Sequence, residues 1–94
     1  MTQRIILNFL QDNKELIKTK YSVNKIGLFG SYAKGLETES SDIDILVDMQ
    51  SGFDNYYELK EFLEQNLQKN VDLGLIGTIR EHLKERIFSE AIYV

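Results

Sequence analysis

Apolar residues change their spacing several times along the chain, and each change marks an element. Ile5, Ile6, Phe9, Leu10, Leu16 and Ile17 recur at near-helical spacing over residues 3–19, with Thr2 placed to cap the helix. Asp12-Asn13-Lys14 offers a break into two helices. Residues 23–29 (Val-Asn-Lys-Ile-Gly-Leu-Phe) read as a strand, and Ser31 to Gly35 as one or two helical turns directly after it. Glu37 to Ser41 is a polar loop. Residues 43–49 form a second strand, apolar enough to lie centrally in a sheet. Ser51-Gly52 marks a turn, and Asp54 is placed to cap a helix over residues 55–68. Tyr56 or Tyr57, Leu59, Phe62, Leu63 and Leu67 give that helix one apolar stripe. A third strand over 71–76 ends at Gly77. Thr78 is expected to cap a last helix carrying Ile79, Leu83, Ile87 and Phe88. The order α-β-α-β-α-β-α predicts an α/β (α+β) fold, a small mixed sheet flanked by helices.

Composition narrows the class. The 94 residues suffice for one domain, expected to span 1–94 and to bury roughly 60–65% of its unfolded surface. Hydrophobic residues at 43% and charged residues at 28% are ordinary for a globular protein. No apolar run approaches the roughly 20 residues of a membrane span, and Met1-Thr2-Gln3-Arg4-Ile5-Ile6 lacks the apolar stretch of a secretory signal. Cysteine is absent, which excludes disulfides and thiolate metal sites and makes a reducing cytoplasm the expected setting. With 15 acidic against 11 basic residues the net charge is −4, and the basic residues are scattered. Nucleic-acid binders carry a basic footprint, so a polymer substrate is not expected. A nucleotide remains open, because a divalent cation neutralises both partners.

Chemistry concentrates between the first two strands. An apolar run ends at Gly30-Ser31, and after ten intervening residues Asp42-Ile43-Asp44 opens the second strand. Gly30 permits a tight turn and close approach of a ligand to the backbone. If a helix begins at Ser31, its free amides face an anion, and the Ser31 hydroxyl adds a donor to a phosphate. A plain strand-to-helix turn with Ser31 as its cap accounts for the same residues. Residues two apart in a strand share a face, so Asp42 and Asp44 point the same way. Two carboxylates so close are costly without cations. As loop-end and solvent-face residues they need none, a reading that suits Asp42 better than Asp44 between its isoleucines. No G-x-G-x-x-G or G-x-x-x-x-G-K-[ST] sequence competes for the phosphate role.

Gly30-Ser31, ten residues and Asp42-x-Asp44, followed by Val71-Asp72-Leu73, resemble the minimal nucleotidyltransferase (MNT) proteins of the DNA polymerase β-like superfamily. The string Gly30-Ser31-Tyr32-Ala33-Lys34-Gly35 and the ending from Arg86 to Val94 are similar to those of small prokaryotic members. The resemblance covers nearly the whole chain and implies the nucleotidyltransferase core, with the metal-binding strands adjacent in one sheet. It implies Asp42, Asp44 and Asp72 as catalytic metal ligands, two Mg²⁺ ions (Mn²⁺ as an alternative), and ATP as substrate. Many such proteins are encoded beside a HEPN-domain toxin, and some neutralise it by transferring AMP to a toxin tyrosine. The resemblance therefore implies a nucleoside triphosphate and a HEPN toxin as partners, with a homo-oligomer or a hetero-oligomer with the toxin as the assembly.

The remaining candidates weigh less. Asp72 completes a triad only if its strand lies beside the second; otherwise it is an exposed strand residue. Gly74 and Gly77 leave that strand's register open. Lys34 is placed to neutralise triphosphate charge, or is a solvated loop lysine. Ser41 either bonds a phosphate or caps the loop. His82 reads as a surface residue, Tyr32 as core or rim packing, and Asp48 as structural. The expected function is metal-dependent AMP transfer to a toxin hydroxyl, making the chain an antitoxin. The alternatives are a non-catalytic partner-binding antitoxin or regulatory module, and a small-molecule nucleotidyltransferase.

Overall fold

A computed structural model describes residues 1–49 and 53–94; the expected Ser51-Gly52 turn lies outside the described residues. Helix α1 (Gln3–Asp12) begins where expected, the Thr2 Oγ1 accepting the Ile5 amide at 3.3 Å. Asn13 breaks the helix by bonding the Phe9 carbonyl with both its backbone N–H and its side-chain amide, and α2 (Lys14–Tyr21) follows. Strand β1 (Val23–Phe29) leads into the five-residue α3 (Gly30–Lys34), and β2 (Ile43–Met49) follows the polar loop. Then come α4 (Phe53–Leu67), β3 (Val71–Leu75), a 3₁₀ turn over Ile76–Thr78, α5 (Glu81–Glu90) and β4 (Ile92–Tyr93).

The four strands form one mixed sheet in the order β3-β2-β1-β4. β1 is antiparallel to β2 and to β4, while β2 and β3 are parallel. Alternation then separates the two faces. Ile26, Leu28, Ile43, Ile45, Val47, Val71 and Leu73 point to one side and are buried against Ile6, Leu10 and Ile17 of α1 and α2 and Leu59, Leu63 and Leu67 of α4. Asp44, Asp72, Leu46 and Gly27 belong to the other side. Gly27 is where the edge closes: a Cβ there would come within 2.6 Å of the Tyr93 ring.

Several expectations shift. β4 was absent from the expected order; it is two residues long and exists by pairing Tyr93 with Gly27 and Ile92 with Leu28. Thr78 does not cap α5. Its hydroxyl donates to the Leu75 carbonyl at 2.9 Å inside the 3₁₀ turn, and α5 starts three residues later, after Arg80. Asp54 lies inside the first turn of α4, where a negative charge still favours the helix dipole. Tyr56, not Tyr57, packs against the core. α5 buries none of its residues, and Leu83 and Phe88 stay exposed. No helix among the described residues is long and apolar enough to cross a membrane.

Candidate active site

The sheet brings the sequence candidates to one end. β1 terminates at Phe29, which pairs with Asp44, and Asp44 pairs with Asp72 on β3. The turn after β1 and the starts of β2 and β3 therefore meet at a single rung. Asp42 stands two residues before Asp44, exposed at the loop end. The register left open by Gly74 is settled by β2: Gly74 pairs with Leu46, and a Cβ on it would meet Leu46 Cδ2 at 3.0 Å.

Gly30 carries the tightest constraint. Its φ is +72°, a conformation that L side chains rarely adopt. A Cβ at this position would collide with the Asp44 carboxylate, whose Cγ would lie 2.9 Å away. The turn and the first strand carboxylate are thus in contact, and only glycine permits it. α3 follows immediately, so the amides of its first residues open beside Asp44. Gln3 anchors the far end of α3, donating from Nε2 to the Tyr32 and Ala33 carbonyls at 3.0 and 2.9 Å. Tyr32 itself is buried in the core.

Charge accumulates around Asp44. Burial, the adjacent Asp72 carboxylate, a hydrogen bond with Asp72 and the more distant Asp42 together hold its carboxyl above the ordinary value of 3.8. A cation with oxygen preference would relieve this strain. The three carboxylates do not form a closed cage, however. Among the described residues, no three His, Cys, Asp or Glu side chains stand close enough to hold an ion by themselves. Asp44 and Asp72 touch, while Asp42 stands off.

The remaining sequence candidates resolve unequally. The Ser41 Oγ accepts the Thr38 amide at 2.9 Å, and the Ser41 amide donates to the Thr38 carbonyl at 3.1 Å, so Ser41 closes the loop. Lys34 does not reach the carboxylate rung. Its Nζ lies 3.4 Å from Glu90 Oε2 of α5. His82 is exposed on α5 and Asp48 is exposed near the end of β2.

Sequence reasoning passed over Lys69. Its Nζ donates to the Glu39 carbonyl at 2.8 Å and clasps the loop that delivers Asp42. It also lines a polar groove with Ser40, Ser41, Asp42, Glu64 and Asn70. Lysine after a helix gives no pattern to find; only the fold brings it opposite Glu39. A larger cavity near the start of α1, lined by Met1, Thr2, Tyr32 and Leu67, contains none of the three aspartates. The carboxylates, rather than this hollow, define the candidate site.

Comparisons with known proteins identify the family. Residues 8–94 match the family described as nucleotidyltransferase domain. A candidate protein adenylyltransferase of Methanocaldococcus jannaschii is 43% identical over 94 residues, covering 95% of this chain and 94% of its own length. The protein adenylyltransferase MntA of Thermococcus cleftensis is 33% identical over 96 residues, with 100% and 97% covered. Among solved structures, a candidate minimal nucleotidyltransferase superposes with a TM-score of 0.83 at 28% identity, covering 98% of this chain and 95% of that one. A toxin–antitoxin structure with AMP-PNP gives a TM-score of 0.66 at 29% identity, with 99% and 72% covered.

Proposed function

This chain belongs to the nucleotidyltransferase domain family, as a nucleotidyltransferase of the minimal type, and from that premise we propose that it moves AMP from ATP to a tyrosine hydroxyl of a HEPN-class toxin and so acts as an antitoxin. The observation that carries the reading is the Asp44–Asp72 pairing beside Gly30. An acceptor oxygen attacks the α-phosphorus, the bond to the β-phosphate oxygen breaks, and pyrophosphate leaves. Asp72, exposed at the rim, takes the acceptor proton. The Gly30-Ser31 turn and the first amides of α3 hold the phosphates against the carboxylates.

Hard oxygen donors fit Mg²⁺, which commonly binds through one or two carboxylates plus substrate phosphates, so a cage left open by Asp42 is suitable. Asp42, Asp44 and Asp72 would hold it, and bound there it would neutralise charge on the attacking and leaving oxygens. Two similarities support the partner. One relative is named MntA, and one structural neighbour is a toxin–antitoxin with AMP-PNP. The exposed Leu83 and Phe88 of α5 offer that partner an apolar surface. The setting proposed is the cytoplasm, where ATP and Mg²⁺ are both supplied.

Intact-mass spectrometry of the neighbouring toxin, incubated with this protein, ATP and Mg²⁺, tests the proposal against an Asp42→Ala/Asp44→Ala control. A gain of one or more AMP units, absent from the control and mapped to tyrosine, is expected. No gain, with both versions forming a stable complex, would replace it with a partner-binding module.

A further inference from the structure

We propose that Glu90 is a positioning residue that holds Lys34 away from the phosphate site until a nucleotide displaces it; the proposal rests on the nucleotide-transfer reading above. Lys34 lies one helical turn after Gly30-Ser31, and side chains in a helix lean toward the preceding turn. Its stem therefore starts over the Gly-Ser turn, yet its Nζ is 3.4 Å from Glu90 Oε2. Glu90 is shared: Arg86 Nε approaches its other oxygen at 3.7 Å. Two cations thus meet one carboxylate at the end of α5, within reach of the turn.

Exposure decides how firm this hold is. The Lys34 side chain is 44% exposed and that of Glu90 is 29% exposed, so the pair is screened by water and readily exchanged. A triphosphate at Gly30-Ser31 carries more negative charge than one carboxylate and offers several oxygens. Lys34 exchanges Glu90 for a phosphate oxygen by rotamer changes alone. Arg86 stays behind, so Glu90 keeps a cationic partner after Lys34 leaves. The cost of the exchange appears as weaker nucleotide binding, which removal of Glu90 returns.

Calorimetric titration of AMP-PNP in Mg²⁺ buffer, on the full chain, separates the cases. Glu90→Gln is expected to tighten binding about threefold, the scale of an exposed ion pair. Glu90→Asp, whose shorter carboxylate draws back from Lys34, is expected to shift it in the same direction. Lys34→Met is expected to weaken binding about tenfold, the scale of a charge-assisted hydrogen bond. In the Lys34→Met background, Glu90→Gln is expected to change nothing. Unchanged or weaker binding by folded Glu90→Gln overturns the proposal. Equal tightening with and without Lys34 also overturns it, because Glu90 would then act only by repelling the phosphates. If the unaltered protein does not bind AMP-PNP with Mg²⁺, the nucleotide reading itself falls.

Discussion

Asp44 concentrates the chemistry at the scale of single residues. It is half-buried, pressed against Asp72 and close enough to Gly30 that any side chain there would strike it. Because its folded-state pKa is raised, the protonated form suits the metal-free fold better than the carboxylate does. Its contribution to stability is therefore fully present below about pH 4 and lost as pH rises through the raised folded value. Asp44→Asn fixes the uncharged form. In EDTA, its melting temperature should match that of the unaltered protein near pH 4 and exceed it progressively toward pH 7, by a few degrees, while AMP transfer is lost. Melting curves across that range check the sign. Parallel curves for the two proteins at every pH would mean that Asp44 is not under charge strain.

The elements were mostly legible before the fold was known, for physical reasons that can be named. Long amphipathic segments announce themselves by periodicity, so α1, α2 and α4 were expected within a few residues, and the two aspartate-bearing strands by alternation. β4 was not, since two residues have no period; tertiary pairing with β1 creates it. Thr78 differs from expectation because a hydroxyl can accept from an amide as a helix cap or donate to a carbonyl in a 3₁₀ turn, and the sequence does not say which partner is near. The signal for the candidate site lies in Gly30, Ser31, Asp42 and Asp44, and the fold brings Asp44 against the Gly30 turn. The register of Asp72 and the partner of Lys34 were not legible, because both depend on strand and helix placement far along the chain. Tyr56 illustrates such a long link: from α4 its hydroxyl donates to the Leu73 carbonyl at 2.6 Å, fixing the strand beside Asp72. Tyr56→Phe should cost about 1 kcal/mol in denaturant unfolding, one hydrogen bond to a partly buried carbonyl. Its kcat for AMP transfer should hardly move, since packing and ladder pairing still place Asp72. A large fall in kcat at unchanged stability would instead make Tyr56 part of the aspartate's alignment.

At the scale of the whole molecule, the division of the sheet decides what the protein can bind. One face is filled by α1, α2 and α4, so the carboxylates have only the other face and the sheet end through which to meet a substrate. Those carboxylates sit in a chain whose net charge is already −4. A free triphosphate is repelled by such a site, whereas its Mg²⁺ complex is not. Nucleotide and metal should therefore stabilise the fold only together. At a hundredfold excess over Kd, a ligand that binds only the folded state adds about 2.7 kcal/mol. For a chain of this size each kcal/mol raises Tm by about 4–8 °C, so the shift should be on the order of 10 °C or more. Thermal melts with ATP alone, Mg²⁺ alone and both would read it directly. A full shift with ATP in EDTA would mean that the aspartates are not the nucleotide's anchor. A comparable shift with single-stranded DNA would mean that the acidic surface does not exclude polymers, and the choice of a small nucleotide over a nucleic-acid substrate would have to be reversed.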